Sequence, residues 1–265
     1  MQAWIMLLIL AALVSAVGFR KFVWFLSIGY AFSIAAESLA LGVLFADRLT
    51  VPVILMLAIV LAYSLRLGIF LLLRERRNGA YRKVLEEVTA DVKKVPLFVS
   101  IAVWVVVSIM YFAEMAPLYF RLSNDLAQKD PALFLSGIAV TFAGFVLQTL
   151  ADIQKNKAKK INPGCFCGTG LYRMVRCPNY LGEILVWTGM FIGSVTCLAS
   201  PLQVVLSAAG YAGIVFVMFN GARRLELRQN GQYGGDAAYR AYASKTPILI
   251  PLVPLYSLKR WKFLG

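Results

Sequence analysis

From Ala3 to Asn220 the chain is a succession of apolar runs, each about the 20 residues that the hydrocarbon core of a bilayer demands of a helix. They lie near Ala3–Phe19, Phe22–Ala46, Val51–Leu73, Val95–Tyr119, Pro131–Ala151, Tyr180–Ala199 and Leu202–Asn220. This pattern predicts an all-α fold: seven transmembrane helices forming one membrane domain over residues 1–265. With 60% of residues hydrophobic, 15% charged and a mean hydropathy of +0.73, the chain is too apolar for a soluble domain of this length.

The cations fix the expected orientation. No Lys or Arg precedes the first run, whereas Arg20 and Lys21 follow it, the reverse of a cleaved signal peptide; a retained helix with its N-terminus outside is expected. The segments then assigned to the cytoplasm are 18–21, 74–94, 152–177 and 221–265, which hold 23 of the 27 Lys and Arg. Arg48, Arg121 and Lys129 fall outside, Arg66 falls within a span, and the C-terminus is cytoplasmic. A formal charge of +14 invites a nucleic-acid reading, but these cations sit in loops between apolar runs rather than over one wet face, so no nucleic-acid partner is expected.

The sequence has no histidine, so acid–base chemistry must come from Glu, Asp, Tyr, Lys, Cys or water. Of its four cysteines, Cys165, Cys167 and Cys177 fall in one cytoplasmic segment and read as reduced thiols. The Cys165-Phe166-Cys167 pair has no histidine and no second pair to complete a tetrahedral site, and no metal is expected. No G-x-G-x-x-G follows a strand, and no G-x-x-x-x-G-K-[ST] occurs, which removes the common nucleotide folds.

Polar residues inside the spans carry the chemistry, because they are costly there. Measured from the cytoplasmic end at 1.5 Å per residue, Arg66 lies about 10 Å deep, Glu183 about 9 Å, Tyr63 about 15 Å and Glu37 about 22 Å. This ladder suits a long anionic cofactor whose phosphates meet cytoplasmic Arg and Lys while its reactive end rises into the bundle. Above that end, Glu37, kept protonated by its apolar surroundings, and Tyr63 are placed to donate hydrogen bonds to a substrate oxygen and stabilise an enolate. Inter-helix bonding of Glu37 and plain packing of Tyr63 are the structural alternatives. Glu114, about 28 Å deep, is expected at the outer boundary. The anchor of the cofactor site is Gly170–Trp187, a basic, glycine-bounded loop that runs into an apolar helix and carries Arg173, Arg176, Asn179 and Glu183. After Asn220 the tail turns basic and aromatic; its proline-broken stretch Ile248–Tyr256 is too short to span and is expected at the interface or packed beneath the bundle, with most of its cations against lipid headgroups.

The heptad Cys177-Pro178-Asn179-Tyr180-Leu181-Gly182-Glu183, with Gly170-Leu171-Tyr172 before it and Trp187 after it, resembles the C-terminal signature of the steroid 5α-reductase family and its bacterial relatives. The likeness extends to Tyr63-x-x-Arg66 with Arg74 and Arg77 downstream, to Asp152 before a basic stretch, and to Tyr239-x-x-Tyr242 ahead of Pro251. It implies a seven-helix oxidoreductase of the bacterial inner membrane that reduces the carbon–carbon double bond of a 3-oxo-Δ4 steroid or similar lipophilic enone with NADPH. Asn179 and Glu183 would then bind the nicotinamide end, Arg66, Arg74 and Arg77 the phosphates, and Asp152 with nearby lysines such as Lys159 the adenosine. Tyr172, Arg173, Arg176 and Tyr180 of the signature, with Asn220, Arg223 and Tyr239 further on, would complete the cofactor contacts. Glu37 and Tyr63 would engage the 3-oxo group, with hydride delivered to the β-carbon and a proton to the α-carbon. The family commonly has Gln before the membrane Glu, where this chain has Ala36, and the histidines of the animal members' tail are missing here.

Two other functions fit parts of the pattern. Membrane methyltransferases that use S-adenosylmethionine, of the isoprenylcysteine carboxyl or phospholipid type, share a G-x-Y-x-x-x-R-H-P-x-Y run and a basic tail, but Cys177 stands at their His and Asn179 is of the reductase kind. A non-catalytic lipid-binding protein or transporter would also place polar groups in spans, yet no inverted repeat or paired broken helices are visible.

Overall fold

The computed structural model describes residues 2–77 and 95–264, with backbone alone at Arg77. Among the described residues every regular element is helical: α1 (Ala3–Ser15), α2 (Ile28–Leu44), α3 (Val51–Arg77), α4 (Leu97–Ser123), α5 (Pro131–Ile161), α6 (Pro178–Ser194), α7 (Pro201–Tyr233) and α8 (Ala237–Lys245), joined in places by single 3₁₀ turns. In a bilayer each peptide group must bond within its own segment, and helices meet that demand. Six helices, Phe22–Leu44, Val51–Arg76, Leu97–Ser123, Pro131–Ile161, Pro178–Cys197 and Pro201–Tyr233, are long and apolar enough to cross, which makes this a multi-pass integral membrane protein.

The first run differs from its expected length. Its α-helical part has 13 residues, about 20 Å at 1.5 Å per residue, against a hydrocarbon core of about 30 Å. It tightens to a 3₁₀ turn over Ala16–Phe19 where Gly18 lies flat against the Phe25 ring, 2.1 Å from the position a Cβ would take. Three other helices outrun their apolar stretches. α3 carries Arg74, Glu75 and Arg76, α5 carries Asp152 to Lys160, and α7 carries Asn220 to Gln232, so much of what reads as basic loop is helix continuing past the apolar boundary. Hydropathy stops there, but Lys, Arg, Gln and Glu are good helix formers and the backbone has no reason to break.

The described chain divides into two compact units, Met1–Ile138 with Met190–Tyr211, and Ala139–Gly189 with Ala212–Gly265. In the first, α1 to α4 bury Leu7, Ala11, Ile34, Met56, Val60 and Met115. Arg121, expected outside, is fully buried there; it donates to the carbonyls of Gly193 at 3.0 Å and Ala127 at 3.3 Å and to that of Lys129, with Phe134 stacked 3.8 Å from its guanidinium. A cation that ends an apolar run reads as a boundary mark; here it is a pin between loops.

In the second unit α5 and α6 cross backbone to backbone. A Cβ on Gly144 would stand 2.6 Å from the Gly182 carbonyl oxygen, and one on Gly182 would stand 2.7 Å from the Gln148 nitrogen. Small residues at both positions permit that approach. The tail folds against the start of α6 and the end of α7, burying Ile248, Leu249, Leu258 and Leu264 around Cys177 and Ala222.

Candidate functional site

In the first unit, α3 carries Tyr63, Arg66, Phe70 and Arg74 at spacings of three and four residues, hence along one stripe. The guanidiniums of Arg66 and Arg74 sit 5.7 and 5.4 Å from the Phe70 ring between them, and Arg66 and Arg74 lie about 4 and 16 Å along the helix from Tyr63. The side chain of Arg77 is outside the described residues. Next on the helix, Glu75 is committed to structure: it accepts from Lys21 and, at 2.9 Å, from Trp24 Nε1.

Tyr63 is fully buried, and its hydroxyl meets that of Tyr30 on α2 at 2.9 Å. Seven residues further along α2, two turns or about 10 Å, comes Glu37, also fully buried. Among the described residues neither carboxylate oxygen of Glu37 has a hydrogen-bond partner. Tyr111 joins the cluster: its ring lies 5.4 Å from that of Tyr30, and its hydroxyl donates to the Phe25 carbonyl. Glu114 is 2% exposed and does not snorkel; Gly210 on α7 presses on its backbone, 2.6 Å from a Cβ position to the Glu114 nitrogen. Along the α2–α3 pair the order is thus Arg74, Arg66, Tyr63 with Tyr30, then Glu37.

In the second unit the signature begins at Gly170, whose φ of +59° is the left-handed conformation that glycine adopts freely; a Cβ there would stand 2.5 Å from Gln154 Oε1. That same oxygen accepts from the Leu171 N–H at 2.9 Å. The Tyr172 hydroxyl donates to the Ala151 carbonyl at 3.2 Å and its carbonyl accepts from Tyr242 at 2.7 Å, so both its polar groups serve the loop; burial, then the Asp152 charge, push its phenol well above the usual range. Arg173 is exposed. Arg176 is 3% exposed: Nη2 donates to the Tyr256 carbonyl at 2.5 Å and pairs with Glu226 at 3.4 Å, which ties the loop to the tail. Burial also pushes the Cys177 thiol up to about 11, against the pull of Lys155 and Arg176.

Pro178 opens α6, and Asn179 follows with its Oδ1 buried and unpartnered among the described residues. The Tyr180 ring covers Gly221, 3.3 Å from where a Cβ would be. Glu183 accepts from Gln148 Nε2 one residue past the crossing glycine. Gln148 was not anticipated; it stands one turn before Asp152 on α5, the only sequence signal for it, and Asp152 is itself buried. Lys159 bonds the Cys165 carbonyl and the Tyr233 hydroxyl, each at 2.6 Å. Tyr239 donates to Asn230 at 2.7 Å and packs in an aromatic group with Phe166 and Tyr233; burial raises its phenol and that of Tyr242. Asn220, Arg223 and Glu226, at three-residue steps on α7, each hold a backbone group of the tail, at Leu264, Lys259 and Leu258.

A family model described as "Protein of unknown function (DUF1295)" matches residues 9–246. The chain belongs to the DUF1295 family. No curated protein and no solved structure matches it. The DUF1295 match takes in residues of both units, from Glu37 on α2 to Tyr239 on α8. The polar groups of this DUF1295 chain sort by what they still have to give. Arg176, Lys159, Asn220 and the Tyr172 hydroxyl are engaged in holding loops and tail, while Glu37 and the Asn179 oxygen are buried with hydrogen-bonding capacity left over. Unpaired buried polar atoms are costly and rare in native proteins, which marks these two as candidates to meet a ligand.

Proposed function

We propose that the protein is an NADPH-dependent membrane reductase that reduces the Δ4 double bond of a 3-oxo-Δ4 steroid or a similar lipophilic enone. The observation that carries this reading is Glu37: a fully buried carboxyl with neither oxygen bonded among the described residues, two turns from the Tyr63–Tyr30 hydroxyl pair. A protonated carboxyl donates one hydrogen bond, and a ketone oxygen accepts one. The DUF1295 family's relation to steroid 5α-reductase-like proteins supports the same assignment.

The residues present fit a dinucleotide phosphate. In the first unit the Arg66–Phe70–Arg74 stripe carries two guanidiniums about two turns apart, suited to phosphate oxygens, and in the second unit the Asn179 oxygen, without a partner among the described residues, suits an N–H donor such as a carboxamide. NADPH, when bound, supplies the hydride that the β-carbon of the enone receives. Glu37 and Tyr63 would hold the oxo group and stabilise the negative charge that gathers on it, the α-carbon then taking a proton that comes ultimately from solvent. Gln148 orients Glu183, and the apolar walls of α2, α3 and α4 exclude water.

Detergent-purified protein titrated in parallel with NADPH and S-adenosylmethionine, followed by progesterone, tests the proposal. Tight NADPH binding with loss of its near-ultraviolet absorbance only when the enone is present is the expected result. Binding of S-adenosylmethionine alone would replace the reductase with a methyltransferase.

A further inference from the structure

From Thr246 to Ser257 the sequence T-P-I-L-I-P-L-V-P-L-Y-S carries no charged side chain, yet Lys245 precedes it and Lys259, Arg260 and Lys262 follow. The segment closes on itself, the Ile248 N–H donating to the Leu255 carbonyl at 2.9 Å. Its base is fixed by two further bonds, from the Arg176 N–H to the Pro247 carbonyl at 2.8 Å and from the Cys177 N–H to the Ile248 carbonyl at 2.9 Å. The next residue, Pro178, begins α6, one of the six candidate spans. The loop is therefore held where a membrane-crossing helix starts.

Its two sides differ. Ile248 and Leu249 are buried beneath the helices, while Ile250, Leu252, Val253 and Tyr256 are exposed. Leu252 is 100% exposed and has a φ of +65°, a left-handed conformation that its Cβ disfavours and that glycine would adopt without strain. The turn thus sets a large apolar side chain at its outermost point. Beside it, Met174, Lys245 and the Pro251–Val253 tip line a cleft of about 480 Å³.

We propose that the Pro247–Tyr256 loop is a membrane-surface anchor, dipping Leu252 and Val253 into the leaflet from which α6 departs and setting Tyr256 at headgroup level. The flanking cations, Lys245, Lys259, Arg260 and Lys262, face the phosphates of anionic phospholipids. A charge-free apolar tip between cations is the chemistry of the interface: apolar groups enter the acyl boundary, the amphipathic ring sits among headgroups, and each cation gains from the negative surface. The bilayer is the occupant because the base of the loop is bonded to the two residues directly ahead of a membrane span. This proposal stands apart from the reductase reading and does not need it.

The test places an environment-sensitive fluorophore on Leu252→Cys in the full chain, in a Cys165→Ser background that removes the exposed native thiol, the other three being buried. The protein is reconstituted in nanodiscs of phosphatidylcholine and phosphatidylglycerol in equal parts. Emission shifted to the blue, and quenched by nitroxide-bearing lipid several-fold more than from a label at Arg240→Cys on α8, is the expected result. Because Leu252 is wholly exposed, cysteine there disturbs no packing. Quenching by aqueous iodide equal to that at position 240 would overturn the proposal, and so would shielding from both quenchers, which would mean that protein covers the loop.

Discussion

Glu37 is fully buried with both oxygens unbonded among the described residues, which costs the fold more than a leucine of similar size would. Replacing Glu37 with Leu is therefore expected to stabilise the unliganded protein by about 1–3 kcal/mol while abolishing enone reduction; a thermal melt in detergent checks the first outcome and an NADPH oxidation assay the second. Milder changes separate the roles. Glu37→Gln and Tyr63→Phe should lower turnover by about 100-fold with NADPH affinity nearly unchanged, whereas Asn179→Ala and Arg66→Ala should weaken NADPH binding by about 10-fold. Equal loss of NADPH binding in all four would refute the assignment. The thiols make a test that needs no substrate. Cys165 is exposed, while burial holds Cys177 neutral until the pH approaches about 11, so maleimide at pH 8 should modify Cys165 rapidly and leave Cys177 unmodified, as peptide mass spectrometry would show.

At the scale of elements the decisive contact is the crossing of α5 and α6 at Gly144 and Gly182, because Gln148 and Glu183 follow it by four residues and one. Gly182→Ala should destabilise the protein by about 1–3 kcal/mol through overpacking and spoil the Gln148–Glu183 bond even though neither partner changes; a lowered melting temperature together with weaker NADPH binding is the signature to look for. Much of this layer could be read beforehand. Tyr63, Arg66 and Arg74 recur at helical spacing inside an apolar run, so their shared stripe follows from periodicity alone, and the glycine of the signature sits where the helices must touch. Gln148 could not be read: an uncharged amide in an apolar run raises no alarm until the helix opposite shows a carboxylate. The basic ends of α3, α5 and α7 misled for a related reason, since hydropathy marks the edge of the membrane and not the end of the helix.

For the molecule as a whole, the apolar runs and the bias of the cations sufficed for a multi-pass helical protein, but long-range pairings stayed hidden. Arg121 and Gly193 are 72 residues apart, and Arg176 and Glu226 are 50 apart, so nothing local announces that either cation is buried. The number of crossings turns on α1. If Ala3–Phe19 crosses with the six longer helices, cysteines at Gln2 and at the exposed Gly235 should react with a membrane-impermeant reagent from opposite sides of sealed vesicles in a Cys165→Ser background; labelling from one side would leave six. The attachment of the tail to α7 has a practical side. To the eye of someone trimming the protein for crystallisation, residues 257–264 look expendable, being short of regular structure and rich in lysine and arginine. Yet Leu258 and Leu264 are floorboards of the second unit, each clamped by a side chain of α7, and shortening the chain to tidy it would lift the floor.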